Sequence, residues 1–183
     1  MVKSLNLVIV EIKQTLILHY VFILFNLAKI VFELFFSFYS INSPQIKLMN
    51  YWLVKSEPFK YSWDDFVNQG VGTWDGVRNY QARNNLAAMK IDDLVLFYHS
   101  NEGMEVVGIA KIVREAYPDP TINDPRWVVV DLTAVEKLPK TVTLKAIKAD
   151  ERLQDVSLIR QSRLSVQQLK KEEFDVIISK AYN

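Results

Sequence analysis

The chain has 183 residues, 50% of them hydrophobic, and a formal net charge of +1. That length holds one ordinary domain with a real core and is too short for two large ones. With no cysteine there is no disulfide framework, thiolate metal site or cysteine nucleophile, and a reducing cytoplasm is the expected setting.

From Leu5 to Tyr39 the chain is rich in Leu, Ile, Val and Phe and apolar on every helical face, as in a helix that sits in lipid or in a large core. Its longest run without a formal charge, Gln14 to Ala28, is 15 residues, short of the roughly 20 that a spanning helix wants. It matches a signal peptide poorly, because acids interrupt it and no small-residue cleavage site follows. Three readings stay open for this hydrophobic helical extension, residues 1–48: a membrane anchor, a hydrophobic hairpin packed on the domain, or upstream sequence translated from an early start codon. The last is favoured, with Met49 as the natural alternative start. The globular part is then 49–183, which carries 18 basic and 19 acidic residues. A protein that coats long runs of phosphate is usually more basic, so any nucleic-acid contact must be local.

After Met49, Tyr51 to Lys55 is aromatic and branched, hence a strand, stopped by Ser56-Glu57-Pro58. Ser62 to Gly70 predicts a short helix, with Ser62 as cap, acids in the first turn and Gly70 at its end. Asn79 to Lys90 predicts a second helix whose stripe Ala82, Leu86, Met89 faces core. Leu94 to Ser100 and Glu105 to Arg114 read as a hairpin across a short polar link, and a proline-rich loop leads to a strand at Arg126 to Val135. The tail reads as a helix at Thr143 to Asp150, a short strand at Arg163 to Val166 and a closing helix at Leu169 to Lys180. Strands separated by helices around an antiparallel meander imply a compact, barrel-like mixed α/β (α+β) fold flanked by short helices.

The densest polar and aromatic cluster runs from Gly72 to Asn84, on a turn that opens the second helix. Arg78 and Arg83 supply forked donors beside Trp74, a flat stacking surface, which are the parts needed to hold a base and its phosphate. The plainer reading has Trp74 filling core, Asp75 capping the helix and the arginines solvated. At Phe97-Tyr98-His99-Ser100-Asn101, strand alternation sends Phe97 and His99 to one face and Tyr98 and Ser100 to the other, so half of the cluster can face a pocket. Only His99 lies outside the N-terminal stretch, and its neighbour Ser100 points away from it, which argues against a Ser–His nucleophile pair. A lone strand histidine is more often structural. Arg160 and Arg163 form the remaining basic run, open to either phosphate contact or solvent. The acidic pairs Asp64-Asp65, Asp92-Asp93 and Glu172-Glu173 read as caps and turns rather than a metal site.

The blocks Tyr51 to Pro58, Trp74 to Asn84, Phe97 to Asn101, Gly108 to Ile112, Tyr117 to Pro120 and Arg160 to Val166 resemble the EVE domain family across nearly all of Met49 to Ile178. The resemblance implies a PUA-like fold, related to YTH domains, and a non-catalytic role in recognising a modified base, modified cytosine foremost, on DNA or RNA. It places Lys55 and Ser56 beside the pocket, makes Trp74 a cage wall and Trp127 a second one. No cofactor, no metal and a monomer are expected. One departure is the turn Ile91-Asp92-Asp93, where the family commonly has glycine before the aspartate, so Asp92 is asked for a geometry glycine prefers.

Taken together, Trp74 is expected to stack on a flipped base. Ser56, Asn79 and the backbone near Asp75 read its edge, Tyr98, His99, Ser100 and Trp127 complete the pocket, and Lys55, Arg78, Arg83, Arg160 and Arg163 contact phosphate. The alternatives are a small hydrolase or nuclease using His99 with Asp75 or Glu57, and a membrane-tethered interaction module.

Overall fold

The structure, a computed structural model, describes residues 2–42 and 49–183, with side chains described at 16, 19–38 and 49–183. Two compact units divide the chain, Met1–Lys47 and Leu48–Asn183. The first is helix α1 (Val2–Asn42). Within it, His19–Phe38 is a 20-residue stretch of mean hydropathy 2.0, long and apolar enough to cross a membrane by length and composition, with none of it buried.

The second unit begins with β1 (Tyr51–Ser56) and α2 (Trp63–Gln69), which Ser62 caps by accepting the Asp65 N–H while the Asp65 carboxylate accepts the Ser62 N–H. Gly70, at φ 79°, ends α2 and turns the chain into β2 (Val71–Thr73), a strand too short to show in the sequence pattern. Next come α3 (Tyr80–Ala88), β3 (Leu94–His99), β4 (Glu105–Pro118) and β5 (Val128–Thr143). Helix α4 (Leu144–Lys148), a 3₁₀ turn at Glu151–Leu153, α5 (Ser157–Arg160), β6 (Val166–Leu169) and α6 (Lys171–Tyr182) complete it.

The strands form one sheet in the order β2-β5-β4-β3-β1-β6. β1 and β3 run parallel and every other pair is antiparallel. β5 runs well past the expected end at Val135 because it stays laddered to β4 as far as Thr143, an effect of pairing rather than of local preference. The last strand starts at Val166, where 163–166 was expected, since a turn closed by Leu164 N–H on the Gln161 carbonyl occupies the preceding residues.

Period-two alternation sorts the sheet's side chains between two cores. Trp52, Val54, Val95 and Phe97 join Trp63, Phe66, Leu86 and Met89 on the face covered by α2 and α3. Leu53, Leu96 and Tyr98 join Phe174 and Ile177 of α6 on the other. Asp92 adopts φ 70°, the left-handed geometry its position demands. Its neighbour Asp93 is buried and accepts from the Asn50 N–H, the Lys90 N–H and the Trp52 indole, pinning the start of β1 to the turn before β3.

Candidate functional site

A cleft of about 770 Å³ opens beyond the C-terminal end of β1. Lys55, Ser56 and Glu57, with Lys60 and Tyr61 of the following turn, form one wall, and the loop from Thr73 to Asn79 forms the other. Gln69 and Ser165 complete the lining.

Trp74 stands where the loop leaves the sheet, its N–H donating to the Val130 carbonyl at 2.8 Å. Its ring meets Phe97 edge to face at 5.6 Å and Tyr61 at 6.4 Å, the arrangement the aromatic quadrupole favours. Only 8% of the residue is exposed, so the tryptophan is part core, and what remains open borders the cleft. Thr73 before it is tied to Asp131, which also accepts from the Tyr117 hydroxyl at 2.7 Å. After it, Gly76 at φ 69° allows the loop to reverse toward α3.

Several polar groups border this space. The Asp75 carboxylate makes no hydrogen bond or ion pair among the described residues and stands exposed in the lining. The Lys55 amine donates to the Ser162 carbonyl at 2.9 Å, and burial lowers its pKa to about 8. Asn79 caps α3, its side-chain oxygen accepting the Ala82 N–H at 3.0 Å, which leaves its amide NH₂ as a donor. Helix capping thus falls to Asn79 and not to Asp75. Ser56 borders the cleft with its hydroxyl donated to the Tyr61 carbonyl at 2.6 Å.

Arg78 lines the cleft, but its guanidinium is held at 2.8 Å by the buried Asp119 and donates again to Thr121. Burial alone would raise Asp119; bonds from Thr121 and Arg78 outweigh it and hold its pKa below the usual value. The arginine therefore anchors the loop. Trp127 is buried outside the lining, with Arg78 over its ring at 5.6 Å and Tyr80 stacked on it at 5.2 Å. Arg83 extends this stack, lying 5.3 Å from the Tyr80 ring and donating to Asn84 and the Arg126 carbonyl, away from the cleft.

Tyr98, His99 and Ser100 also lie outside the lining. Tyr98 faces the core beneath α6, as alternation requires. His99 accepts the Trp63 N–H on Nε2 at 3.1 Å, and burial lowers its pKa, so the ring is a neutral acceptor at the start of α2. Ser100 donates from both its N–H and its hydroxyl to the Ser56 carbonyl, clamping together the ends of the parallel pair. Arg160 and Arg163 line a second cleft, about 310 Å³, which shares Asn79 with the first. Arg160 is paired with Asp155 at 2.5 Å; Arg163 makes no ion pair among the described residues.

Sequence reasoning missed Tyr61, Gln69 and Thr73 as cleft residues. Tyr61 precedes the Ser62 cap and packs on Phe66, four positions into the helix, so its visible signal was that of a hydrophobic staple. Its hydroxyl donates to Gln69 at 2.7 Å, a contact made only once α2 is folded.

The family model for the EVE domain matches residues 50–180. The chain belongs to the EVE domain family. Mouse thymocyte nuclear protein 1 is 41% identical to it over 166 residues, covering 72% of this chain and 74% of that one. The crystal structure of protein Atu2648 from Agrobacterium tumefaciens, 48% identical, covers 72% of this EVE protein and 92% of its own chain at a TM-score of 0.71. Human THYN1 protein, solved in complex with 5-methylcytosine containing DNA, is 35% identical, with 73% and 98% covered and a TM-score of 0.70. At 13% identity and a TM-score of 0.50, a Zygosaccharomyces rouxii YTH domain shares the fold alone. The mixed α/β, PUA-like architecture expected for this EVE domain is thereby established.

Proposed function

We propose that the EVE domain of this chain is a non-catalytic reader of nucleic acid that receives one flipped-out modified base, a 5-substituted cytosine, in the cleft beside Trp74. The observation that carries this reading is the convergence of a tryptophan wall, an unpaired carboxylate and a partly buried amine on one cleft. Its volume, about 770 Å³, falls within the roughly 300 to 1,000 Å³ of small-molecule sites. That the similar human THYN1 protein was solved in complex with 5-methylcytosine containing DNA supports cytosine as the base read here.

Trp74 stacks on the base, contributing about 1 to 3 kcal/mol. The Asp75 carboxylate accepts from the exocyclic amine of cytosine, a group thymine lacks. The free NH₂ of Asn79 donates to a base carbonyl. Burying one methyl group against Val77 contributes about 0.8 kcal/mol, roughly fourfold over unmodified cytosine, while discrimination against the other bases rests on polar pairing. Lys55 and Arg163 contact phosphate on either side of Asn79.

The hydrolase reading fares worse, because the one histidine it needs is committed to the Trp63 N–H and does not line the cleft with Asp75 and Glu57. For location we propose the cytoplasm, with attachment through α1 as the alternative that its 20-residue apolar stretch supports. Mass spectrometry of the native N-terminus and membrane fractionation separate these.

The deciding experiment is a binding screen of the full chain against short oligonucleotides that differ in one modified base. Tightest binding to a 5-substituted cytosine, abolished in Trp74→Ala while circular dichroism shows a folded domain, is the expected result. Equal affinity for every unmodified and modified oligonucleotide would remove the reading.

A further inference from the structure

Flipping a base leaves a gap in the duplex stack beside the mouth of whatever pocket receives it. The lip of this cleft carries an aromatic side chain that the base-reading function has not used. Phe59 is 69% exposed and stands between Glu57 and Lys60, both in the lining, without lining the cleft itself.

Exposed apolar side chains scattered over a surface are ordinary. Phe59 differs in its support. The turn from Glu57 to Tyr61 is closed by the Lys60 and Tyr61 N–H groups, both donating to the Glu57 carbonyl at 2.9 and 3.0 Å. The Ser56 hydroxyl fastens its far end at the Tyr61 carbonyl, and Lys60 pairs with Glu57 at 2.6 Å. Little order remains to be imposed on such a turn when a partner docks. The Lys60 amine lies 5.4 Å from the Phe59 ring, which sets a cation and a flat apolar group side by side at the lip. Tyr80, the other large exposed aromatic near the Thr73–Asn79 loop, is already stacked on Trp127.

We propose that Phe59 is a wedge that enters the duplex stack where the read base has left it, with Lys60 contacting the adjacent phosphate. This rests on the base-reading function above. Apolar wedges between base steps offset unstacking in this way, and a phenyl ring is flat enough to fill the gap. Phe59 thereby makes the domain competent on double-stranded DNA, where the base must be extracted, and is dispensable on a single strand, where it is already free.

The test measures binding of the full chain to a DNA duplex carrying one 5-methylcytosine and to the same modified strand alone. Phe59→Ala is expected to weaken duplex binding by about tenfold and to leave single-strand binding within about twofold, while Phe59→Trp restores the duplex. Trp74→Ala is expected to lose both. If Phe59→Ala leaves duplex binding unchanged, or weakens both forms equally, the wedge is overturned and base reading survives. If the wild-type chain binds neither form, the base-reading function fails and the wedge fails with it.

Discussion

The Lys55 amine and the Ser162 carbonyl lie 2.9 Å apart, a bond that ties the end of β1 to the loop before β6 across 107 residues of sequence. It holds a cation at the cleft at the cost of burying it, and lysine responds by releasing its proton more readily. Its pKa falls from 10.5 to about 8. Below pH about 8 folded and unfolded chains both hold the proton, and the burial cost is fully present. Between 8 and 10.5 the unfolded chain retains a proton that the folded chain has lost, so this site's contribution to stability rises with pH. Over the same interval the cleft loses positive charge, and affinity for an anionic oligonucleotide falls. Titrating binding and urea stability from pH 7 to about 10 tests both slopes, and Lys55→Met is expected to flatten them.

Asp75→Asn replaces an acceptor-only group with one that also donates. Affinity for 5-methylcytosine oligonucleotides is expected to drop about tenfold, and preference over thymine to shrink, because the amide can donate its NH₂ to the thymine carbonyl as well as accept from the cytosine amine through its oxygen. Fluorescence anisotropy with the two oligonucleotides reads the ratio; an unchanged ratio would remove Asp75 from base recognition.

Arg163 makes no ion pair among the described residues and lies in the second cleft. Arg163→Ala is expected to weaken binding uniformly across sequences and to reduce the slope of log K against log salt by about 1. A loss confined to one base would contradict a phosphate contact.

Asp93→Ala leaves the Trp52 indole and the backbone N–H groups of Asn50 and Lys90 without their carboxylate acceptor. The indole bond is buried and the two backbone bonds are half-buried; an unsatisfied buried donor costs about 1 to 3 kcal/mol, so a loss of about 2 kcal/mol is expected in urea unfolding.

Gly108 pairs with Phe97 where β4 bulges, and the Trp63 ring lies directly on its backbone. A methyl group there would overlap the indole, so Gly108→Ala is expected to destabilise the domain by about 3 kcal/mol. Because Trp63 seats α2, the same substitution should displace Tyr61 from the cleft wall and weaken base binding in the surviving folded fraction.

Local signals made much of this domain legible. The Ser62 cap with Asp65, the terminating Gly70, the Ala82 and Leu86 stripe and the alternating β3 strand each depend on neighbours within a turn or a pleat, which is the range a sequence pattern reports. The same alternation divides Phe97 from Tyr98 and sends the tyrosine into the core beneath α6, on the face away from Trp74. β2, at three residues, exists only because β5 offers it an edge to pair with.

The site divides in the same way. Sequence alone determined that Trp74, Asp75 and Asn79 would stand together, since they occupy one tight loop, and that Lys55 and Ser56 would end a strand. Only the tertiary structure decided which charges stay available. Arg78 is captured by Asp119, 41 residues away, His99 by the Trp63 N–H and Arg83 by the Arg126 carbonyl, while Asp75 and Arg163 are left unpaired among the described residues. A side chain's type states what it can bind, but its partner is set by which distant segment folds against it, and a linear pattern carries no record of that distance.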